Sequence, residues 1–248
     1  MRVSVVFTAV SLMAAAPVWA QPKAIAPRTT LPAHVMCADV LVPALPTSTL
    51  RIKGGHHPDS RLTFARGDVV VVGRTPDDGL TVGQRYMVRR LPVGSQAHLP
   101  KDGGYLPIRT PGWVTITAMD EVNAMASIDH ACDSIEADDF LEPFADLALP
   151  IVEATVAEPD FTERVEILAG LDGRQMFADG DTFSIARGSA HGVTAGARYA
   201  IYRDRKDGKP LVHIGEAIVT DPTATASKLL LMTTTDAVNT TDLAVPRR

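Results

Sequence analysis

The chain has 248 residues, of which 46% are hydrophobic and 5% aromatic, and its formal net charge is −5. Lysine and arginine are spread along the chain and do not cluster into a tract. A mildly acidic chain of mixed charge argues for a soluble protein and against nucleic acid or an anionic membrane surface as its partner.

Residues 1–20 have the features of a signal peptide. Arg2 provides a positive start, residues 3–16 form an apolar run, and the small residue Ala20 ends the segment, so we expect cleavage before Gln21. A membrane anchor is the alternative, but the run is shorter than the roughly 20 residues that a spanning helix needs. No second apolar run of that length follows. The segment therefore predicts a periplasmic or secreted protein.

Three segments are predicted after the signal peptide. Residues 21–34 are proline-rich and show no periodicity, which is typical of a flexible, exposed tail. Residues 35–146 and 150–248 each contain short apolar runs separated by glycine and proline, which predict two separate units. The boundary between the units is expected near residues 146–150.

Cys37 and Cys132 are the two cysteines of the chain, and both lie in the first unit. An even number of cysteines in an exported protein favours a disulfide. By the chain-entropy account, a bond that closes a loop of about 100 residues contributes roughly 4 kcal/mol of stability. Two buried free thiols and a metal site are the alternatives, although the pair lacks the C-x-x-C spacing of common zinc sites.

The two units repeat one another. "FARGDVVVVGRTPDDGLTVGQRYMVRR", which begins at Phe64, aligns without a gap to "FADGDTFSIARGSAHGVTAGARYAIYR", which begins at Phe177. A second block aligns at a shorter spacing and pairs "CDSIEADDFLEP" with "TDAVNTTDLAVP". A register that changes only once, at a Gly- and Pro-rich loop, indicates an internal duplication. The matched pairs are Gly67/Gly180, Asp68/Asp181, Gly79/Gly192, Gly83/Gly196, Arg85/Arg198, Tyr86/Tyr199, Arg90/Arg203, Asp139/Asp242 and Pro143/Pro246.

Each unit predicts a small β-barrel. "GDVVVVG" and "GDTFSIA" are short, strand-like segments that open on a Gly-Asp turn. "RYMVRR" and "RYAIYR" alternate polar and apolar residues, as half-buried strands do. "GWVTITAMDE" and "GEAIVTDP" continue the pattern. The predicted fold is therefore all-β, with two tandem, duplicated, small SH3-like β-barrel domains.

The glycine-centred motifs resemble those of a known family. G-D-x-V at residues 67–70, G-L-x-V-G-Q-R-Y-x-V at residues 79–88, and the strands that begin G-W-V at Gly112 and G-E-A at Gly215 carry the resemblance. They are similar to the C-terminal β-domain of the flagellar assembly protein T family, and to exported bacterial envelope proteins, some of which carry LysM modules. The resemblance covers both repeats and implies a β-domain that acts in the bacterial envelope.

The strands "RYMVRR" and "RYAIYR" supply the candidate binding residues. Arginine and tyrosine are favoured at recognition surfaces because they combine apolar area with hydrogen-bonding groups. The alternative is that the tyrosines belong to the barrel cores and the arginines are merely solvated. The candidates are Arg85, Tyr86, Arg89, Arg198, Tyr199, Tyr202 and Arg203.

A search for catalytic and metal-binding motifs favours a non-catalytic protein. His56 and His57 stand beside Asp59, but no further ligand follows at motif spacing. Ser189 and His191 lie in "GSAHG", which is not the G-x-S-x-G of a nucleophile elbow. We therefore predict no catalytic residue, no metal ion and no cofactor.

An acid-rich stretch in the first unit supports an alternative function. Paired carboxylates perform glycoside hydrolysis or bind calcium, but no D-x-D-x-D-G loop is present, and the recurrence of Asp139 as Asp242 favours a role in a turn. We expect an exported, non-catalytic envelope module that binds another envelope protein or a cell-wall glycan such as peptidoglycan. The alternative is a periplasmic hydrolase that uses a pair among Asp120, Glu121, Asp129, Asp133, Glu136, Asp138 and Asp139.

Overall fold

Strands make up about half of the chain that the computed structural model describes, and helices only 6%. No helix in the described part has the length and apolar character needed to cross a membrane. The predicted signal peptide, 1–20, and the first part of the predicted tail, 21–27, lie outside the described residues. The described residues are 28–44, 46–57, 61–75, 78–91, 105–145, 147–150, 157–168, 170 and 173–248.

Strands of 2 to 14 residues follow one another along both units. In the first part of the chain the elements are β1 (Arg28–Thr30), α1 (Ala33–Met36), β2 (Val40–Val42), β3 (Arg51–Gly55), β4 (Thr63–Phe64), β5 (Val69–Gly73), β6 (Arg85–Arg90), β7 (Leu106–Met119), β8 (Asn123–Ala131), β9 (Ile135–Glu136), β10 (Phe140–Pro143) and β11 (Ala148–Pro150). In the second part they are a 3-10 helix (Phe161–Glu163), β12 (Val165–Leu168), β13 (Met176–Phe177), β14 (Thr182–Ile185), a second 3-10 helix (Ser189–His191), β15 (Arg198–Arg203), β16 (Val212–Pro222), β17 (Ser227–Thr234), β18 (Val238–Asn239) and β19 (Leu243–Pro246).

The strands of each unit close into a barrel of six antiparallel strands. Barrel 1 has the order β7-β6-β10-β3-β5-β8, and β8 pairs with β7 to close the ring. Barrel 2 has the order β16-β15-β19-β12-β14-β17, and β17 pairs with β16. The two orders are the same once strands are matched by the sequence repeat. The predicted all-β class and the two tandem small barrels are confirmed.

Each barrel has its own hydrophobic core, filled by alternate residues of its strands. In β5 the inward residues are Val70 and Val72, and both are fully buried. In β14 the repeat places Phe183 and Ile185 at the same positions, and both are again buried. The duplicated pattern of apolar residues thus specifies two separate cores.

The retained glycines form the same corner in both barrels. Gly79 and Gly192 have φ angles of +70° and +80°, and Gly83 and Gly196 have φ angles of +86° and +87°. These are left-handed conformations that a residue with a Cβ adopts only at a steric cost. The G-x-x-x-G pattern is therefore retained because the turn before β6, and its counterpart before β15, requires it.

The segment 28–42, called the N-terminal segment below, contains defined structure. β1 pairs with β11, and β2 pairs with β7 of barrel 1. Residues 28–34 therefore contain defined secondary structure, in which Leu31 is buried and Pro32, Ala33 and His34 are exposed. The strand that pairs with β1 lies at residues 148–150, far along the chain, so local periodicity in the sequence does not predict this pairing.

Helix α1 of the N-terminal segment contacts both barrels. Its side chains Val35 and Met36 are buried, because they pack on Met87 and Trp113 from the outer face of barrel 1. Leu230 of β17 packs against the same cluster from barrel 2. The N-terminal segment therefore lies at the contact between the barrels.

The predicted disulfide between Cys37 and Cys132 is confirmed, with the two Cα atoms 5.7 Å apart. Cys37 follows α1, and Cys132 follows β8 of barrel 1. The bond therefore fixes the N-terminal segment to barrel 1. A disulfide of this kind is typical of proteins outside reducing compartments.

Lys228 of β17 reaches from barrel 2 to the N-terminal segment, where its Nζ donates a hydrogen bond to the carbonyl oxygen of Ala38 at 3.3 Å. The residue is only 4% exposed, and a carboxylate oxygen of Asp221 lies 3.8 Å from Nζ. Arg89 and Asp39 are the other charged groups that act on it. Burial outweighs the attraction to Asp221 and lowers the pKa of Lys228 to about 8.

We expect the stability of the native protein to rise relative to that of Lys228→Met between about pH 7 and about pH 10. The unfolded lysine keeps its proton up to its ordinary pKa of 10.5, whereas the folded lysine releases it near pH 8, so folding becomes more favourable through this window. The expected change is about 2 kcal/mol. Chemical denaturation of both proteins at the two pH values measures it, and parallel pH profiles would contradict it.

Candidate functional site

The seven predicted binding residues lie in different environments. Tyr86 and Tyr199 are 3% exposed and belong to the cores of barrels 1 and 2. Burial raises the pKa of both phenols. These two residues are therefore unavailable at a surface, because in each strand the tyrosine takes the inward side. Arg85 and Arg198, which precede them, are exposed.

Arg203 belongs to a bidentate ion pair that both barrels contain. Its Nε and Nη2 donate to the two carboxylate oxygens of Asp242 at 2.8 Å. Arg90 makes the same pair with Asp139, at 2.6 and 2.7 Å. Each carboxylate also accepts a hydrogen bond from the backbone N–H three residues earlier, and each pair raises the pKa of its guanidinium. The pair ties the end of β6 or β15 to the turn before β10 or β19.

Arg89 is also held inside the structure. It is 7% exposed, and its Nε donates to a carboxylate oxygen of Glu142 at 3.1 Å. Its Nη1 donates to the hydroxyl of Thr110, and that hydroxyl donates to the carbonyl oxygen of Ala38 in the N-terminal segment. Arg89 thus helps to seat the N-terminal segment on barrel 1.

The outer face of β6 and β7 in barrel 1 is aromatic and covered. His130 stacks on Trp113, with ring centroids 4.4 Å apart, and Phe144 meets Trp113 edge-on at 6.0 Å. The guanidinium carbon of Arg85 lies 3.8 Å from the centroid of Phe144. Helix α1 and Leu149 of β11 pack against this cluster. Polypeptide from the same chain therefore covers this face of barrel 1.

The corresponding outer face of barrel 2 carries three aromatic rings. Tyr202 and His213 are cross-strand partners in β15 and β16, and their ring centroids are 5.4 Å apart. Phe161, from the first 3-10 helix, lies 4.9 Å from Tyr202 between ring centroids. Phe161 is 42% exposed, and the side chain of His213 is 44% exposed. Clustered, exposed apolar surface of this kind marks an interaction site more often than a single exposed residue does.

A charged network borders these rings. Arg247 donates to Glu216 from Nε at 2.9 Å and also from Nη2, and Nε2 of His213 lies 2.8 Å from Oε1 of Glu216. Burial by itself would raise the pKa of Glu216, but the hydrogen bonds from Arg247 and His213 hold it below its ordinary value. The bond to Glu216 also raises the pKa of Arg247. Phe161, Tyr202, His213, Glu216 and Arg247 are called the open face below.

The sequence repeat shows that the open face and the covered face of barrel 1 are equivalent. Glu216 stands where barrel 1 has Trp113, and Arg247 stands where it has Phe144. The glycines that precede Trp113 and Glu216 are retained, because a Cβ there would meet a backbone oxygen of the neighbouring strand at 2.1 Å in barrel 1 and 2.6 Å in barrel 2. The backbone of the face is therefore retained while its side chains differ.

Several carboxylates of the acid-rich stretch serve turns and strand contacts. Asp120 accepts hydrogen bonds from two backbone N–H groups of the β7–β8 turn. Asp129 accepts a hydrogen bond from the hydroxyl of Thr115 at 2.6 Å, and Asp133 accepts one from the backbone N–H of Ser134. Together with the ion pair described above, these contacts give each of these carboxylates a structural partner.

The remaining candidates from the sequence also have local partners. Nδ1 of His191 accepts a hydrogen bond from the backbone N–H of Gly188 at 3.2 Å, which caps the second 3-10 helix. The rings of His56 and His57 contact each other with centroids 5.5 Å apart. Asp59, their predicted neighbour, lies outside the described residues.

Sequence reasoning identified Tyr202 of the open face and missed its other four members. The pairing of Tyr202 with His213 follows from the hairpin that the loop "DRKDGKP" closes, so this contact was within reach of the sequence. Phe161 lies far from both residues along the chain, and no periodicity signals its contact with Tyr202.

No protein-family model and no curated protein matches the chain. The resemblance to the flagellar assembly protein T family therefore stays a prediction. What the protein does has to be argued from the geometry of its own residues.

We expect Asp242→Asn to lower the free energy of unfolding by about 3 kcal/mol, because it leaves the guanidinium of Arg203 without its buried counter-charge. Asp236→Asn is the matched control: Asp236 also pairs with Arg203, but its side chain is 64% exposed, so the expected loss is below about 1 kcal/mol. Urea denaturation of the two variants measures the difference. Equal losses would contradict a structural role for the buried pair.

We expect Glu216→Gln to reduce stability near neutral pH and to have a smaller effect in acid. The folded pKa of Glu216 is held below its ordinary value of 4.5, so its charge stabilises the fold above that pH. This contribution is lost as the pH falls through the folded pKa. Thermal unfolding of the variant, with exposed Glu166→Gln as the control, tests the expectation, and a loss that is independent of pH would contradict it.

Proposed function

We propose that the protein is an exported, non-catalytic binding module of the cell envelope that recognises another envelope protein through the open face of barrel 2. The observation that carries the proposal is the relation between the two barrels. The face of barrel 1 that is equivalent to the open face is covered by helix α1 and β11 of the same chain. A duplicated face that takes up polypeptide in one copy supports polypeptide binding by the other.

The composition of the open face supports a protein partner. Phenylalanine, tyrosine and arginine are enriched among the residues that dominate the energetics of protein interfaces. The ion pair to Glu216 holds Arg247 in place, so less side-chain entropy is lost on binding. The planes of Phe161 and Tyr202 are tilted by 59°, and those of Tyr202 and His213 by 65°. The rings therefore do not form the flat platform on which a sugar ring stacks.

Export to the periplasm or to the exterior is part of the same proposal. The sequence supports it through the predicted signal peptide, 1–20. The disulfide between Cys37 and Cys132 supports it because such bonds persist in oxidising compartments.

The proposal is tested by site-specific photo-crosslinking in intact cells. A photoreactive residue placed at His213 is expected to trap a discrete envelope protein, and one placed at Leu62 of barrel 1, which is 79% exposed, serves as the control position. The double substitution Phe161→Ser/Tyr202→Ser is expected to weaken binding of the trapped protein at least tenfold, since hot-spot aromatic residues each contribute about 2 kcal/mol or more.

Three outcomes would contradict the proposal. The first is equal cross-linking from both positions, and the second is binding that the double substitution leaves unchanged. The third is co-sedimentation with purified peptidoglycan that the double substitution abolishes, which would make a glycan the ligand of the open face. Unchanged far-UV circular dichroism of the double variant shows that any loss is not due to unfolding.

A further inference from the structure

The disulfide of barrel 1 has an imidazole beside it. One ligand atom from each of Cys37, Cys132 and His130 lies within 4.8 Å of the others. All three side chains are half-buried. Two sulfurs and an imidazole nitrogen are the donor set that zinc prefers.

The imidazole of His130 is held in a fixed orientation beside the two sulfurs. Stacking on Trp113, with an angle of 12° between the ring planes, fixes the plane of the imidazole. Among the described residues, neither ring nitrogen of His130 takes part in a hydrogen bond. An imidazole that is held in place beside two sulfurs is suited to act as a metal ligand.

We propose that reduction of the disulfide converts this cluster into a binding site for a thiophilic divalent cation, Zn²⁺, with the thiolates of Cys37 and Cys132 and the imidazole of His130 as ligands. In tetrahedral zinc sites the Zn–S distance is about 2.3 Å and the Zn–N distance about 2.0 Å, so ligand atoms lie roughly 3.6 to 3.8 Å apart. The imidazole therefore has to approach the sulfurs by only about 1 Å. The two sulfurs separate to the same distance when their bond breaks, and the Cα separation of 5.7 Å allows it.

A dithiol reductant supplies the electrons and protons that the conversion requires. The reductant delivers two electrons and two protons to the S–S bond and leaves as a disulfide, and the protein is left with two thiols. Zinc then displaces the two thiol protons as it binds. Cys132 borders an open groove beside Thr63, Phe64, Asp133 and Ser134, which gives solvent a route to this residue.

The site has a structural consequence at the contact between the barrels. Cys37 belongs to the N-terminal segment, whereas Cys132 and His130 belong to barrel 1. In the oxidised state a covalent bond connects the N-terminal segment to the barrel, and in the reduced state the metal ion connects them. The inference is independent of the binding role proposed for barrel 2.

Cobalt titration of the reduced protein tests the inference. The chain is reduced anaerobically with a phosphine, which takes up the oxygen of water and becomes its oxide, and Co²⁺ is then added. One cobalt ion per chain is expected, with thiolate-to-cobalt charge-transfer absorption in the near ultraviolet, the visible bands of a tetrahedral ion, and displacement by Zn²⁺. The oxidised protein is expected to show none of these spectra.

Two histidine variants identify the third ligand. His130→Phe keeps an aromatic ring on Trp113 but removes both nitrogens, and it is expected to weaken cobalt binding at least tenfold. His57→Ala removes an exposed imidazole elsewhere in barrel 1 and is expected to bind as the native chain does. Far-UV circular dichroism of the reduced proteins reports whether the barrels are retained.

Three results would overturn the inference. The first is a reduced chain that keeps its circular dichroism and binds no cobalt. The second is a reduced chain that unfolds and shows no tetrahedral cobalt spectrum. The third is unchanged binding by His130→Phe, which would remove the imidazole from the ligand set.

Discussion

Each barrel depends on the same bidentate ion pair with a buried aspartate, Arg90 with Asp139 in barrel 1 and Arg203 with Asp242 in barrel 2. The pair connects the end of β6 or β15 to the turn that leads into β10 or β19, the strand that pairs with it in the ring of each barrel. A buried charge that loses its partner costs about 3 to 5 kcal/mol, so neither residue tolerates a change alone. This coupling explains why both pairs are retained although most surface residues of the two units differ.

Barrel closure constrains the inward residues and leaves the outward ones free to diverge. Val70 and Val72 became Phe183 and Ile185 in the other copy, which changes volume but keeps an apolar core. On the outer face, barrel 2 has Glu216 at the position where barrel 1 has Trp113. A core position would not accept this exchange, because burying an unpaired charge is costly. The retained motifs therefore specify the fold, whereas the positions at which the two copies differ are the candidates for a functional role.

How much of this could be predicted from the sequence depends on the range of each contact. The glycine turns and the alternating strands are local patterns, so the barrels and their duplication could be predicted. Alternation separates two faces of a strand without saying which one is buried, so Tyr86 and Tyr199 remained candidates for a surface that they do not reach. The pairing of β1 with β11 and the contact of Phe161 with Tyr202 join distant segments, and no local pattern encodes them.

The two outer faces differ also in how their contacts are held. In barrel 1 the covering segment is part of the same chain, and the bond between Cys37 and Cys132 keeps it at a high effective concentration. Both cysteines of the chain lie in the first unit, so no disulfide within the chain can hold a segment on the open face in this way. The partner that we propose for the open face would be held without such a bond, with Phe161 and Tyr202 as its apolar anchors. The same barrel surface thus carries a contact held by a disulfide in barrel 1, whereas in barrel 2 no disulfide within the chain can hold one.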